Sequence, residues 1–310
     1  MRIGPLIYKL IFEPTLPIRY NLKHFGLLGW HKIYQGEKRM EKAATNLTPV
    51  KLTADFILEV SYLTGAKYWH QTLFCAYSLA NILLGRVRIN IYSDGTLDNG
   101  HKASIEKIIQ GVIFISDNQV SAHLNHFLPK EKYPTLRYLQ GWHPFFKRLI
   151  NIHSRPSWSV HLDSDMIFFN YPAQLIDAYT HKKSIYMKEQ LDNSYFVDNE
   201  DTLKDKYHIP CISFVNGGII AYDSDKVDYA DLEDKAKLLL NEYPNAGPAQ
   251  VEQTLMSYLL FKQDAEALDK KLYAIIYENK SDLTVTQIVR HYIFKAKKSY
   301  FTSEWKKVIH

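Results

Sequence analysis

The chain has 310 residues, 46% hydrophobic and 23% charged, a composition that excludes a disordered or collagen-like protein and allows one large core or two modest ones. Its formal charge of +5, from 38 basic and 33 acidic side chains, is too small and too mixed to mark a nucleic-acid binder. Two distant cysteines, Cys75 and Cys211, fit buried thiols in a reducing, cytoplasmic setting better than a disulfide framework.

Residues 1–35 are rich in aromatics and bases, including Tyr8, Phe12, Tyr20, Phe25, Trp30, Lys32 and Tyr34. Such an extension, residues 1–50, suits either packing against the main domain or peripheral association with an anionic membrane surface. Residues 1–10 hold Arg2 and Lys9 without a long apolar run and small-residue cleavage site, so no signal peptide is read. Nor does any run reach the roughly 18 to 20 uncharged apolar residues that span a bilayer.

From residue 55 strands and helices alternate. Residues 56–60 read as a first strand, and residues 68–84 as a helix stopped by Gly85. Residues 87–92 form a second strand ending in Ser93-Asp94-Gly95. A helix over 101–110 and a strand over 112–115 follow. Helical stretches over 118–127 and 145–152 precede a strand over 158–162. Beyond it come a strand over 184–187, an acidic exposed loop or lid over 189–207, and a strand interrupted by Asn216-Gly217-Gly218. Helices over 229–241 and 249–261 and a basic tail over 290–310 complete the chain. This order predicts an α/β fold, a single Rossmann-like domain with a mostly parallel central sheet. Its ligands are expected beyond the carboxyl ends of the strands.

The strand over 158–162 runs into Asp163-Ser164-Asp165. Six of the seven flanking residues, 160–162 and 166–169, are apolar. An unpaired carboxylate in an apolar core costs several kcal/mol or takes up a proton, so both belong where the strand emerges, beside something cationic. Carboxylates at i and i+2 share a face, and hard oxygen ligands of this kind suit Mg²⁺ or Mn²⁺ bridging phosphates. Solvated turn aspartates are the plainer reading.

With this motif the chain resembles nucleotide-sugar glycosyltransferases of the GT-A fold, and within them the metal-dependent retaining, glycosyltransferase family 8-like group. The likeness runs from residue 55 to about 305, within a domain of residues 51–310 whose 51–165 part would bind nucleotide and whose 166–310 part would bind sugar and acceptor. It implies that Asp163 and Asp165 hold a divalent cation on the diphosphate of a nucleoside-diphosphate sugar, typically UDP-linked. The acceptor would be a carbohydrate or glycolipid hydroxyl, in a hexosyltransferase-like reaction serving surface-glycan synthesis.

Other segments fit the same picture. Two glycines inside an apolar strand make sense where backbone must approach a ligand or adopt unusual angles. By resemblance Asn216, with Gly217 and Gly218, lines the sugar wall; a β-bulge is the alternative. Pro248 opens a helix that presents Gln250, Glu252 and Gln253, and the family's reactive carboxylate or amide corresponds to Glu252 or Gln253. His291 is a third candidate ligand. The similar enzymes continue with a Gly and then a base near the diphosphate, whereas here Ile293-Phe294 stands in place of the Gly. Lys295, Lys297 and Lys298 supply positive charge for phosphate, with Lys295 and Lys298 the chosen pair. Ser93 and Asp94 are placed at the base or ribose, and Lys147 and Arg148 at a phosphate or at Asp163 itself. Two other readings use the same residues: a metal-dependent nucleotidyl or phosphoryl transferase, although no Walker-type loop is present, and a non-catalytic carbohydrate-binding protein.

Overall fold

The computed structural model describes residues 13–155, 157–190, 195–278 and 285–309, with side chains from residue 18 onward. In chain order, helix α1 (Glu13–Ala44) leads through β1 (Val50–Lys51) to β2 (Glu59–Thr64), α2 (Trp69–Ile82) and β3 (Arg88–Ser93). Helix α3 (Asn99–Ile108), β4 (Ile109–Gln110) and β5 (Ile113–Ile115) follow. A helical block of α4 (Asp117–Phe127), α5 (Pro134–Trp142), α6 (Pro144–Lys147) and a π-helical turn (Arg148–Ile152) then leads to β6 (Trp158–Leu162) and β7 (Met166–Phe168). After α7 (Ala173–His181) come β8 (Ile185–Lys188), β9 (Val215–Asp223), α8 (Tyr229–Glu242) and α9 (Pro248–Lys262). The chain closes with β10 (Glu266–Ala267), β11 (Tyr273–Ile276), β12 (Val289–Tyr292) and α10 (Lys297–Thr302).

The main sheet has the order β10-β8-β9-β6-β2-β3-β5, and four of its six pairings are parallel; β9 alone runs against its neighbours. The α/β class with a mostly parallel sheet is therefore as expected. A smaller sheet, β11-β12-β7, begins where β6 ends. Alternation along the strands divides the core in two. Ile219 and Ala221 of β9 face a cluster with Phe74 of α2 and Tyr292 of β12, while Ile220 and Tyr222 face one with Leu139 of α5 and Leu255 of α9.

Three expectations shift, and the packing of the amino-terminal extension against the domain is as expected. The first strand starts at Glu59 rather than residue 56, because its register with β3 begins at Glu59 and Arg88. The stretch over 189–207 is not all loop: a π-helical turn, Thr202–Lys206, buries Leu203 there, while 191–194 lie outside the described residues. Residues 290–309, read as a basic tail, are folded into the body. Val289–Tyr292 is a buried strand, and Arg290 and Glu304 pair at 3.1 Å inside the protein. The amino-terminal extension is a long helix kinked at Gly26 (φ 66°), where only glycine bends so freely. Its small and apolar stripe, Gly29, Ile33, Gly36, Met40 and Ala44, is the buried face. Gly36 meets α10 so closely that a Cβ would lie 2.4 Å from the Phe301 carbonyl oxygen. Within the expected membrane-lying segment, residues 1–12, with Tyr8 and Phe12, lie outside the described residues. No helix among the described residues is long and apolar enough to cross a membrane.

Candidate metal and donor site

Asp163 and Asp165 occupy the short turn between β6 and β7, at the carboxyl end of a central parallel strand. Backbone hydrogen bonds from both flanks hold the turn: Asp163 N donates to Gly218 O at 2.9 Å, and Tyr292 N donates to Asp165 O at 3.0 Å. The Ser164 hydroxyl between them meets Thr72 of α2 at 2.7 Å. Strand β12 pairs antiparallel with β7, placing His291 opposite Met166.

This brings Asp163, Asp165 and His291 together, with ligand atoms all within 4.8 Å of one another. His291 Nε2 lies 3.0 Å from Asp165 Oδ1 and 3.9 Å from Asp163 Oδ2. Its other nitrogen, Nδ1, donates to Asn216 Oδ1 at 3.1 Å. Asn216 is fixed in turn, since Oδ1 also accepts from Gly218 N at 2.9 Å while Nδ2 donates to Glu189 at 2.9 Å. The imidazole therefore presents Nε2 to the carboxylates, the orientation that a ligating histidine takes from its outer hydrogen bond. Two carboxylates and one imidazole fit a hard or borderline divalent cation such as Mg²⁺ or Mn²⁺.

The charges are balanced closely. Burial drives the Asp165 carboxyl upward, but Lys297 and His291 outweigh it and hold the group far below the ordinary carboxylate range. Burial likewise lowers the His291 pKa, and Asp165 more than reverses that, so the ring is raised above its usual value. Lys297 Nζ reaches Asp165 Oδ2 at 2.5 Å. On the other side Arg148 bridges Asp163 at 2.8 Å and Glu252 at 3.3 Å. Burial raises the Glu252 carboxyl, and the arginine only partly offsets it.

The glycines have a steric reason. A Cβ on Gly218 would sit 2.5 Å from His291 Nδ1, and one on Gly217 would sit 3.3 Å from the Arg148 guanidinium. The β-bulge reading is present too: β8 and β9 lose register here, with Met187 opposite Asn216 but Tyr186 opposite Ile220. Bulge and close approach are one feature.

The remaining expected residues are spread around this centre. Lys147 donates to the Asp94 backbone oxygen at 2.6 Å. The Asp94 carboxylate caps its own turn through Thr96 and presses on Gly65, where a Cβ would clash at 2.1 Å. Ser93 Oγ accepts from Gly95 N at 3.0 Å, a turn contact. Gln253 donates to Val215 O at 2.7 Å and anchors the start of β9. Gln250 Oε1 accepts from Gly247 N at 3.0 Å at the start of α9. Lys295 pairs instead with Glu278 at 3.7 Å, and Lys298 lies over Phe25 of α1, 5.6 Å from its ring centre. Lys297 is the lysine that meets the cluster, because Phe294 takes the left-handed backbone (φ 47°) that turns the chain into α10. Phe294 thus takes a backbone conformation that favours glycine.

Sequence reasoning missed a buried relay behind Gly217. Its carbonyl accepts from His161 Nε2 at 2.8 Å, so His161 Nδ1 accepts from His153 Nε2 at 2.8 Å, and His153 Nδ1 accepts from Ser159 at 2.8 Å. Burial depresses both rings, His161 to about 3, so both are neutral. The signal was a histidine between two apolar strand residues, Val160 and Leu162, two residues before Asp163.

No family model matches the sequence, and no curated protein matches it. Solved structures do resemble it. The galactosyltransferase LgtC, in complex with donor and acceptor sugar analogues, has a TM-score of 0.46 and 13% identity over 76% of this chain and 86% of its own. Mouse xyloside xylosyltransferase 1 has a TM-score of 0.45 and 11% identity, covering 78% and 98%. The bifunctional glycosyltransferase WbbM has a TM-score of 0.47 and 12% identity, covering 78% and 47%.

Proposed function

We propose that this chain is a metal-dependent glycosyltransferase of the GT-A type. It moves a sugar from a nucleoside-diphosphate sugar, UDP-linked in the first instance, to a hydroxyl of a carbohydrate or glycolipid acceptor, in cytoplasmic surface-glycan synthesis. Residues 51–165 would supply the nucleotide side and residues 166–310 the sugar and acceptor side.

The observation that carries this reading is the convergence of Asp163, Asp165 and His291 at the carboxyl end of β6. Mn²⁺ or Mg²⁺ held by these three would place positive charge on the donor diphosphate. Lys297, already beside Asp165, adds charge where the leaving diphosphate becomes negative. Arg148 orients the Asp163 carboxylate, and Asn216 orients His291. The acceptor hydroxyl attacks the anomeric carbon as the bond to the diphosphate oxygen breaks. Burial and the Arg148 pairing spend Glu252 on structure, which favours a retaining course in which the hydroxyl proton passes to a phosphate oxygen on the same face.

Melting the protein with UDP, with and without Mn²⁺, tests the reading: a metal-dependent rise in melting temperature is expected. Incubation with a panel of nucleotide sugars should then release nucleoside diphosphate from at least one. Absence of any metal-dependent shift with any nucleotide overturns it.

A further inference from the structure

The formal charge of the chain is not spread evenly. Its first 44 residues hold eight Lys and Arg against three Asp and Glu, so the whole excess of +5 lies there; the other 266 residues balance, 30 against 30. Helix α1 sorts this charge further. After the Gly26 kink its buried stripe faces the body, and the opposite face carries Leu27, Leu28, His31, Lys32, Tyr34, Lys38, Arg39 and Lys42, all exposed. Glu41, paired with Lys38 at 2.8 Å, is the acidic group at the edge of this face, while Glu37 lies toward the protein body. Leu27 and Leu28 are 72% and 80% exposed, side by side at the kink, with Lys23 and His24 just before them.

We propose that this face of α1 docks the protein on an anionic lipid bilayer. Leu27 and Leu28 enter the interfacial layer, and Lys32, Arg39 and Lys42 meet lipid phosphates. Two adjacent leucines within a basic helical face are the pattern of an interfacial helix. Cations near an anionic leaflet are drawn to it over roughly one Debye length. A second copy of the chain is disfavoured, because two such faces repel. Nucleic acid would pair with the bases and leave both leucines in water.

Helix α1 carries the docking face on one side and, on the other, lines a groove that reaches Lys297. A groove of about 440 Å³ lies between α1 and the cluster, lined by Tyr20, Ile33, Tyr68, Phe294, Phe301 and Lys297. If the transferase reading holds, docking keeps the enzyme at the surface where acceptors carried on lipid reside.

Flotation of the full chain with vesicles tests the docking without donor or acceptor, so its outcome is separate from that of the transferase reading. The intact protein should float with phosphatidylcholine vesicles containing about one third phosphatidylglycerol, and not with phosphatidylcholine alone. Salt at about 0.5 M should release it. Leu27→Asp with Leu28→Asp should weaken binding by at least about tenfold with an unchanged melting temperature, since both side chains are exposed. Lys32→Glu with Lys42→Glu should weaken binding and flatten its salt dependence. No binding to anionic vesicles, equal binding to neutral ones, or full binding by the leucine variant overturns the proposal. So does association with RNA, or self-association, that survives the leucine substitutions and replaces vesicle binding.

Discussion

Asn216 holds His291 by one ring nitrogen, Nδ1 to Oδ1 at 3.1 Å, and thereby turns the other nitrogen to Asp165 at 3.0 Å. Replacing Asn216 with Ala should leave all three candidate ligands in place and still weaken Mn²⁺ binding by about 10- to 100-fold, the usual effect of losing an outer-shell partner. Asn216→Asp, which keeps an acceptor oxygen, should lose less. Titration of Mn²⁺ by calorimetry separates the two.

Gly218 and Gly217 should behave differently although they are adjacent. A methyl on Gly218 collides with the His291 ring, boxed in by Asn216, whereas a methyl on Gly217 meets the end of the Arg148 side chain at 3.3 Å. Gly218→Ala is expected to abolish the metal-dependent rise in melting temperature, and Gly217→Ala to retain most of it.

Arg148 and Glu252 test the energetics behind the site. Arg148→Met strands the buried Glu252 carboxyl, and breaking a buried pair from one side costs about 3–5 kcal/mol. Adding Glu252→Gln should restore a large part of that stability. Urea unfolding of the two single variants and the double variant closes the cycle, and additive losses would contradict the coupling.

Lys297 should matter to turnover where its neighbours do not. Lys297→Met is expected to lower the rate by about 100-fold or more, the range for losing a charged donor at a developing anion. Lys295→Met, at the Glu278 pair, and Lys298→Met, against Phe25, should stay within about threefold of the parent. Equal losses from all three would remove Lys297 from its assigned place.

His70 supplies a pH signature away from the metal site. Burial beside α1 depresses its pKa from 6.5 to about 4, while the nearby Glu41 charge works the other way. Below pH 6.5 the unfolded chain takes up a proton that the folded chain refuses. Stability is therefore whole above about pH 6.5 and declines as the pH falls toward about 4, by up to about 3 kcal/mol. A His70→Gln variant should show a shallower decline in melting temperature over that window.

The Asp-x-Asp turn was legible because charge cannot end an apolar strand without a partner, and the alternation of elements before it made the sheet legible too. The Asn-Gly-Gly segment stood out for a related reason, since glycine is a poor choice in a strand unless something crowds it. Lys297 was not separable from Lys295 and Lys298. Which of three nearby bases turns inward depends on the left-handed Phe294, a conformation that a phenylalanine does not advertise. Helix α1 hid behind its composition, because its buried stripe sets only two large apolar residues, Ile33 and Met40, among glycine and alanine. Strand β7 has three residues, too few for a period to register.

The nine-residue strand β9 contains Asn216, Gly217 and Gly218 and is hydrogen-bonded on both sides, to β6 and β8. This stretch behind the metal cluster is therefore architecture rather than trim. On the proposed reading, a lineage that changed its donor sugar would find this stretch resistant to drift, since any backbone shift there drags two core layers with it. Innovation is channelled to the opposite rim, where side chains alone can be exchanged, and a library that spares β9 should yield more folded variants than one that includes it.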